Sequence, residues 1–173
     1  MNKKFLLSAI AGIGSLILLF SNFGFSISAD SFISTEYFFV LDIVSILLYV
    51  LYVYGFVALG EKHSVQPMMY GAYAWIALSL AGAVYSYLVP DPAQESVIGL
   101  IISLVIMASI IVVGLHMLKL KSHYGEYATG YGILAMLSAT GIPYLVGGAF
   151  GGIAIDALAY VVAILIFFRA AKR

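Results

Sequence analysis

Two carboxylic acids stand inside long apolar stretches of this sequence. Asp42 lies within Phe38-Phe39-Val40-Leu41-Asp42-Ile43-Val44, and Asp156 within Gly152-Ile153-Ala154-Ile155-Asp156-Ala157-Leu158. An ionisable group in hydrocarbon costs of order 2–3 kcal/mol at the centre of a membrane helix, so it needs a partner or a task. Helical spacing supplies hydroxyls near each acid. Ser45, Tyr49 and Tyr52 follow Asp42 on one face at intervals of 3, 7 and 10 residues, and Tyr160 follows Asp156 by four. Thr140 and Tyr144 flank Pro143, which inside a helix would free a carbonyl one turn earlier. The expectation is a shared site for a cation or a relayed proton, formed by Asp42, Ser45, Tyr49, Thr140, Tyr144, Asp156 and Tyr160. The competing expectation is that each Asp tethers its own helix near the membrane surface, bonded to a nearby Ser or Tyr or reaching to the headgroups.

Other chemistries find less support. Two acids at one depth would also suit an aspartyl dyad, but Gly151-Gly152-Ile153-Ala154-Ile155-Asp156 lacks the Gly-x-Gly-Asp pattern of presenilin-type proteases. A serine triad fails on distance, because His116 falls near the opposite end of its span, roughly 20 Å deeper than either acid at 1.5 Å per residue. His63 and His123 fall in loops, no His-x-x-x-His or His-Glu-x-x-His spacing occurs, and all three read as ordinary histidines. The absence of Cys excludes disulfides, thiolate metal sites and iron–sulfur ligation. The Gly-rich stretch 147–152 lacks the Lys-Ser/Thr and preceding strand of a phosphate-binding loop. Neither a cofactor nor a metal is expected.

The elements that must position these residues are legible from composition. The 173 residues are 64% hydrophobic and 9% charged, with no net charge, against roughly 25% charged in soluble domains. No basic block offers a footprint for nucleic acid. A helix crossing about 30 Å of hydrocarbon needs roughly 20 apolar residues. By that ruler the chain is an all-α integral membrane protein, one domain of six transmembrane helices at residues 5–22, 37–59, 68–89, 97–118, 128–146 and 152–168, the last two folded at the glycines 147–152.

Charge sets the orientation. The eight basic residues (Lys3, Lys4, Lys62, Lys119, Lys121, Arg169, Lys172, Arg173) fall at the termini and in alternate connections, while the other connections carry Asp30, Glu36, Asp91 and Glu95 or no charge. Basic loops stay cytoplasmic, which predicts a multi-pass cell-membrane protein with both termini inside. Aromatic residues near the span ends, Phe23, Phe25, Phe32, Tyr37, Tyr85 and Tyr87 among them, read as interfacial belts. A rival reading takes Lys3-Lys4, the apolar run and Ser26-Ile27-Ser28-Ala29 as a cleaved secretory signal, leaving five spans.

Two features bear on assembly. Gly55, Leu59, Lys62, Gly71, Leu78, Ser79 and Gly82 recur 59 residues later as Gly114, Leu118, Lys121, Gly130, Leu137, Ser138 and Gly141. That match suggests a parallel helical-hairpin repeat over residues 55–82 and 114–141. Small residues spaced by four (Ser8 and Gly12, Ala11 and Ser15, Ala77 and Ala81, Gly147 and Gly151, Gly148 and Gly152) would let helices approach closely, within the chain, in a homo-oligomer or against other membrane subunits. The lipid bilayer is the one partner the composition demands. Function then reads first as a small cation- or proton-linked transporter or channel subunit with an outward-facing acidic site. The alternative is a non-catalytic assembly or regulatory subunit of a membrane complex, and an intramembrane enzyme comes third.

Overall fold

The computed structural model describes residues 2–27, 35–88 and 97–172. Asp30, Asp91, Glu95 and Phe32 lie outside the described residues, as do the side chains of Phe23, Phe25, Glu36, Tyr37, Tyr87 and Tyr144. The described chain is helical: α1 (Lys3–Ile27), α2 (Thr35–Lys62), α3 (Gln66–Leu88), α4 (Val97–Lys119), α5 (Lys121–Tyr124), α6 (Glu126–Thr140) and α7 (Ile142–Lys172). Five of them, α1, α2, α3, α4 and α7, contain a stretch long and apolar enough to cross a membrane. Helices suit such a sequence because they satisfy every backbone group internally where water cannot.

The helices close into a ring. Each of α1, α2, α3, α4, α6 and α7 packs against its neighbours in chain order, and α7 returns to α1. The backbone amide of Asn2 donates to the carbonyl of Ala171 at 2.9 Å. At the same end, Lys62 Nζ donates to the Ala170 carbonyl at 3.1 Å and Lys4 pairs with Glu61 at 3.2 Å. His63 meets Tyr124 there as well, at 2.9 Å. Both termini and the two basic turns therefore share one end of the ring.

Burial repeats around the ring at an offset of sixty. Ser8, Ala11, Gly12 and Ser15 of α1 are buried, as are Met68, Gly71, Ala72 and Trp75 of α3 and Ala128, Tyr131, Gly132 and Ala135 of α6. Positions 13, 73 and 133 are exposed in turn, as are 17, 77 and 137. The residue match at 59 is one position away from this register, a rotation of about 100° at 3.6 residues per turn. Which face the ring buries, rather than residue identity, sets the structural equivalence. Small side chains make the contacts close: a Cβ added to Gly132 would come within 2.7 Å of the Gly114 carbonyl, and one added to Gly55 within 2.5 Å of the Phe167 ring. Of the small-residue pairs expected at contacts, Ser8, Ala11, Gly12, Ser15 and Gly152 are buried and Gly151 is half-buried, whereas Ala77, Ala81, Gly147 and Gly148 are exposed.

The ring is tight at its basic end and loose at the other. Phe56 of α2, Met117 of α4 and Phe167 of α7 are fully buried, and Phe56 stacks on Tyr131 at 4.8 Å and meets Phe167 edge-on at 5.0 Å. Residues 40–44 of α2, nearer the opposite end, are all exposed.

The turn into α7 departs from the expected one. α6 ends at Thr140, not near 146, because Gly141 adopts a left-handed cap at φ 68° whose amide donates to the Ser138 carbonyl. Pro143 then falls in the first turn of a new helical segment, where its missing N–H costs nothing, so it does not break the interior of a span. Gly148, at φ 59°, interrupts that segment before the long run of α7. Asp156 follows Gly148 by eight residues, about 12 Å along the axis, twice its four-residue offset from the start of the expected span at 152.

Candidate functional site

Three helices present the same inward stripe. Tyr49 of α2, Ile110 of α4 and Tyr160 of α7 line one cavity, and each stands seven residues before a plug residue, Phe56, Met117 or Phe167. Four residues further back come Ser45, Ile106 and Asp156, which also line cavities. The α2 counterpart of Asp156 is thus Ser45. Asp42 lies almost one turn beyond it and is exposed.

The cavity holding Asp156 has a volume of about 200 Å³. Ser138, from α6, donates its hydroxyl to Asp156 Oδ1 at 2.5 Å. Four further aromatic side chains complete a wall with Tyr160: Tyr49, Tyr52, Trp75 and Tyr131. Trp75 Nε1 donates to the Tyr49 hydroxyl at 2.5 Å, and the two rings cross at 79°. Tyr52 and Tyr160 stack with centroids 4.4 Å apart. Buried phenol and indole groups need such partners, since an unpaired one forfeits its bonds with water.

Two adjoining cavities open away from the aromatic plug. One, of about 310 Å³, lies among α1, α2, α3 and α7 and is lined by Ser15, Ser45, Ser79, Tyr49 and Tyr160 among others. The second, of about 700 Å³, lies among α2, α3 and α4. Tyr49 borders all three. The Ser15 hydroxyl, 8% exposed, has no hydrogen-bond partner among the described residues. A buried hydroxyl on a cavity wall is the usual seat of a bound water or polar solute.

The expected site residues therefore divide. Tyr49, Asp156 and Tyr160 share one cavity, and Ser45 joins Tyr49 and Tyr160 in the next. Ser45 and Thr140 spend their hydroxyls on their own helices, on the carbonyls of Asp42 and Leu137 at 2.8 Å each. Thr140 and Asp42 are exposed, and the Tyr144 side chain lies outside the described residues. Missing from the expected set are Ser138, Trp75, Tyr131 and Ser15. Ser138 and Ser79 did carry a signal, since they match each other in the 59-residue repeat and both line cavities.

The histidines lie apart from this cavity. His63 and His123 lie with tilted rings 4.4 Å apart beside Tyr124 in the basic turns, and His116 Nδ1 donates to the Val112 carbonyl of its own helix. Among the described residues no group of three or more His, Asp or Glu is arranged to hold a metal. No protein-family model, curated protein or solved structure matches this chain.

Proposed function

We propose that this chain crosses the bilayer six times, with both termini cytoplasmic, and that it binds a cation beside Asp156 and moves it across the cell membrane, alone or as a subunit of a small oligomer. The observation that carries the reading is Asp156, a carboxylate in the wall of an aromatic cavity midway along a membrane-length helix. An acid in hydrocarbon is expensive, and such residues mark ion and proton pathways. The sixth crossing is α6, whose fifteen residues cover about 22 Å, so that the roughly 30 Å hydrocarbon core must thin locally around it. It packs between α4 and α7 as a full member of the ring. The positive-inside rule orients the basic end toward the cytoplasm. The cavities then open outward, and the layer of Phe56, Phe167 and Tyr131 closes the route inward. Transport requires that layer to part.

Flux in proteoliposomes tests this. Wild-type protein should pass a cation down an imposed gradient, Asp156→Asn should lose roughly tenfold or more through removal of the half-buried counter-charge, and Asp42→Asn should stay close to wild type. Wild-type protein inert under every cation gradient, or Asp156→Asn as active as wild type, would overturn the reading.

A further inference from the structure

We infer that the cation is a small organic ammonium, quaternary or alkyl-substituted, rather than an inorganic ion. The inference rests on the cation-binding reading above and names its substrate class. Hard metal cations take about six to eight oxygen ligands in place of their water, and the oxygens of this wall are side-chain ones spread over α2, α6 and α7: the Asp156 carboxylate, the Ser138 hydroxyl and four tyrosine hydroxyls. The helices use their backbone carbonyls internally, the Tyr49 hydroxyl already accepts from Trp75, and the Ser138 hydroxyl is turned toward Asp156. Rings are what the wall has in quantity. Tyr49 and Trp75 form a right-angled corner, and the Tyr52–Tyr160 stack and Tyr131 add to the same wall. Aromatic boxes of this kind attract weakly hydrated ammonium groups through the ring quadrupole, Trp most strongly, by up to about 2 kcal/mol where water is excluded. Asp156 supplies the opposite charge. At about 200 Å³ the cavity falls below the ~300–1,000 Å³ of drug-sized sites, which limits the guest to a few non-hydrogen atoms around the nitrogen.

The chain reports on this site directly, because Trp75 is its single tryptophan and lines the cavity. Tetramethylammonium chloride, titrated into detergent-solubilised full-length protein, should change Trp75 fluorescence saturably, and sodium chloride at equal concentration should not. Asp156→Asn and Tyr160→Leu should weaken the apparent affinity roughly tenfold, while Tyr160→Phe, which keeps the ring, should stay within about threefold. If Tyr160→Leu fails to assemble, the isosteric Asp156→Asn and Tyr160→Phe pair still decides. Equal responses to sodium and tetramethylammonium, or a tetramethylammonium response untouched by Asp156→Asn, would overturn the ammonium assignment. The same holds for no response alongside an Asp156-dependent flux of sodium or protons, an outcome that leaves the transport reading standing. A response lost in Asp156→Asn, from a protein that carries no cation across a membrane, would keep the ammonium site and overturn transport. Silence in both assays overturns both.

Discussion

The bond from Ser138 to Asp156 is the smallest unit on which the proposed site depends. Side-chain hydrogen bonds within membrane proteins average only about 0.6 kcal/mol and reach about 1.7, and a charged acceptor belongs toward the upper end. Ser138→Ala should therefore weaken tetramethylammonium binding by about three- to twentyfold without abolishing it, measured by the Trp75 titration. An unchanged affinity would mean that the serine does nothing for the carboxylate. Asp156 is legible in the sequence because an acid in an apolar run stands out. Ser138 shows there only as the repeat partner of Ser79, with no sign of its role beside Asp156, because a serine in a helix ordinarily bonds back to its own backbone, as Ser45 and Ser109 do at 2.8 Å. Only the packing of α6 on α7 turns the Ser138 hydroxyl across to another helix.

Between elements, the ring is held by close backbone approach rather than by expulsion of apolar surface, since lipid is as apolar as the side chains it would replace. Two glycines on helices of the same ring make opposite predictions. Gly55→Ala would drive a methyl into the Phe167 ring and should cost about 1 to 3 kcal/mol, as overpacking does. Trimming the ring with Phe167→Leu in the same chain should recover part of that loss. Gly130→Ala meets nothing within 4 Å and should be neutral or stabilising by up to about 1 kcal/mol through helix propensity. Thermal unfolding in detergent separates the two, and equal effects would contradict the packing described. Element positions were largely legible from apolar length. The end of α6 was not: the run from 128 to 170 is apolar throughout, and the turn depends on the left-handed conformation of Gly141 and Gly148, which composition does not distinguish from that of Gly147 or Gly151.

At the scale of the whole molecule, the charge pattern and the contacts agree that the basic turns share one end. The chain has no native Cys, so single-cysteine variants report topology without background. Ser64→Cys should react with a membrane-impermeant maleimide only after cells are opened, and Ala93→Cys should react on intact cells. Reversed reactivity would invert the molecule, and two residues labelled from one side would remove a crossing. The contact between Asn2 and Ala171 also has a meaning in time. A ribosome delivers α1 first and α7 after the other members of the ring, so the ring stays an open arc through most of synthesis. Asp156 and Tyr160 enter the membrane with α7, the helix that closes it. A nascent chain interrupted before that point holds Tyr49, Trp75 and Tyr131 without Asp156, so an unfinished copy lacks the carboxylate of the proposed site.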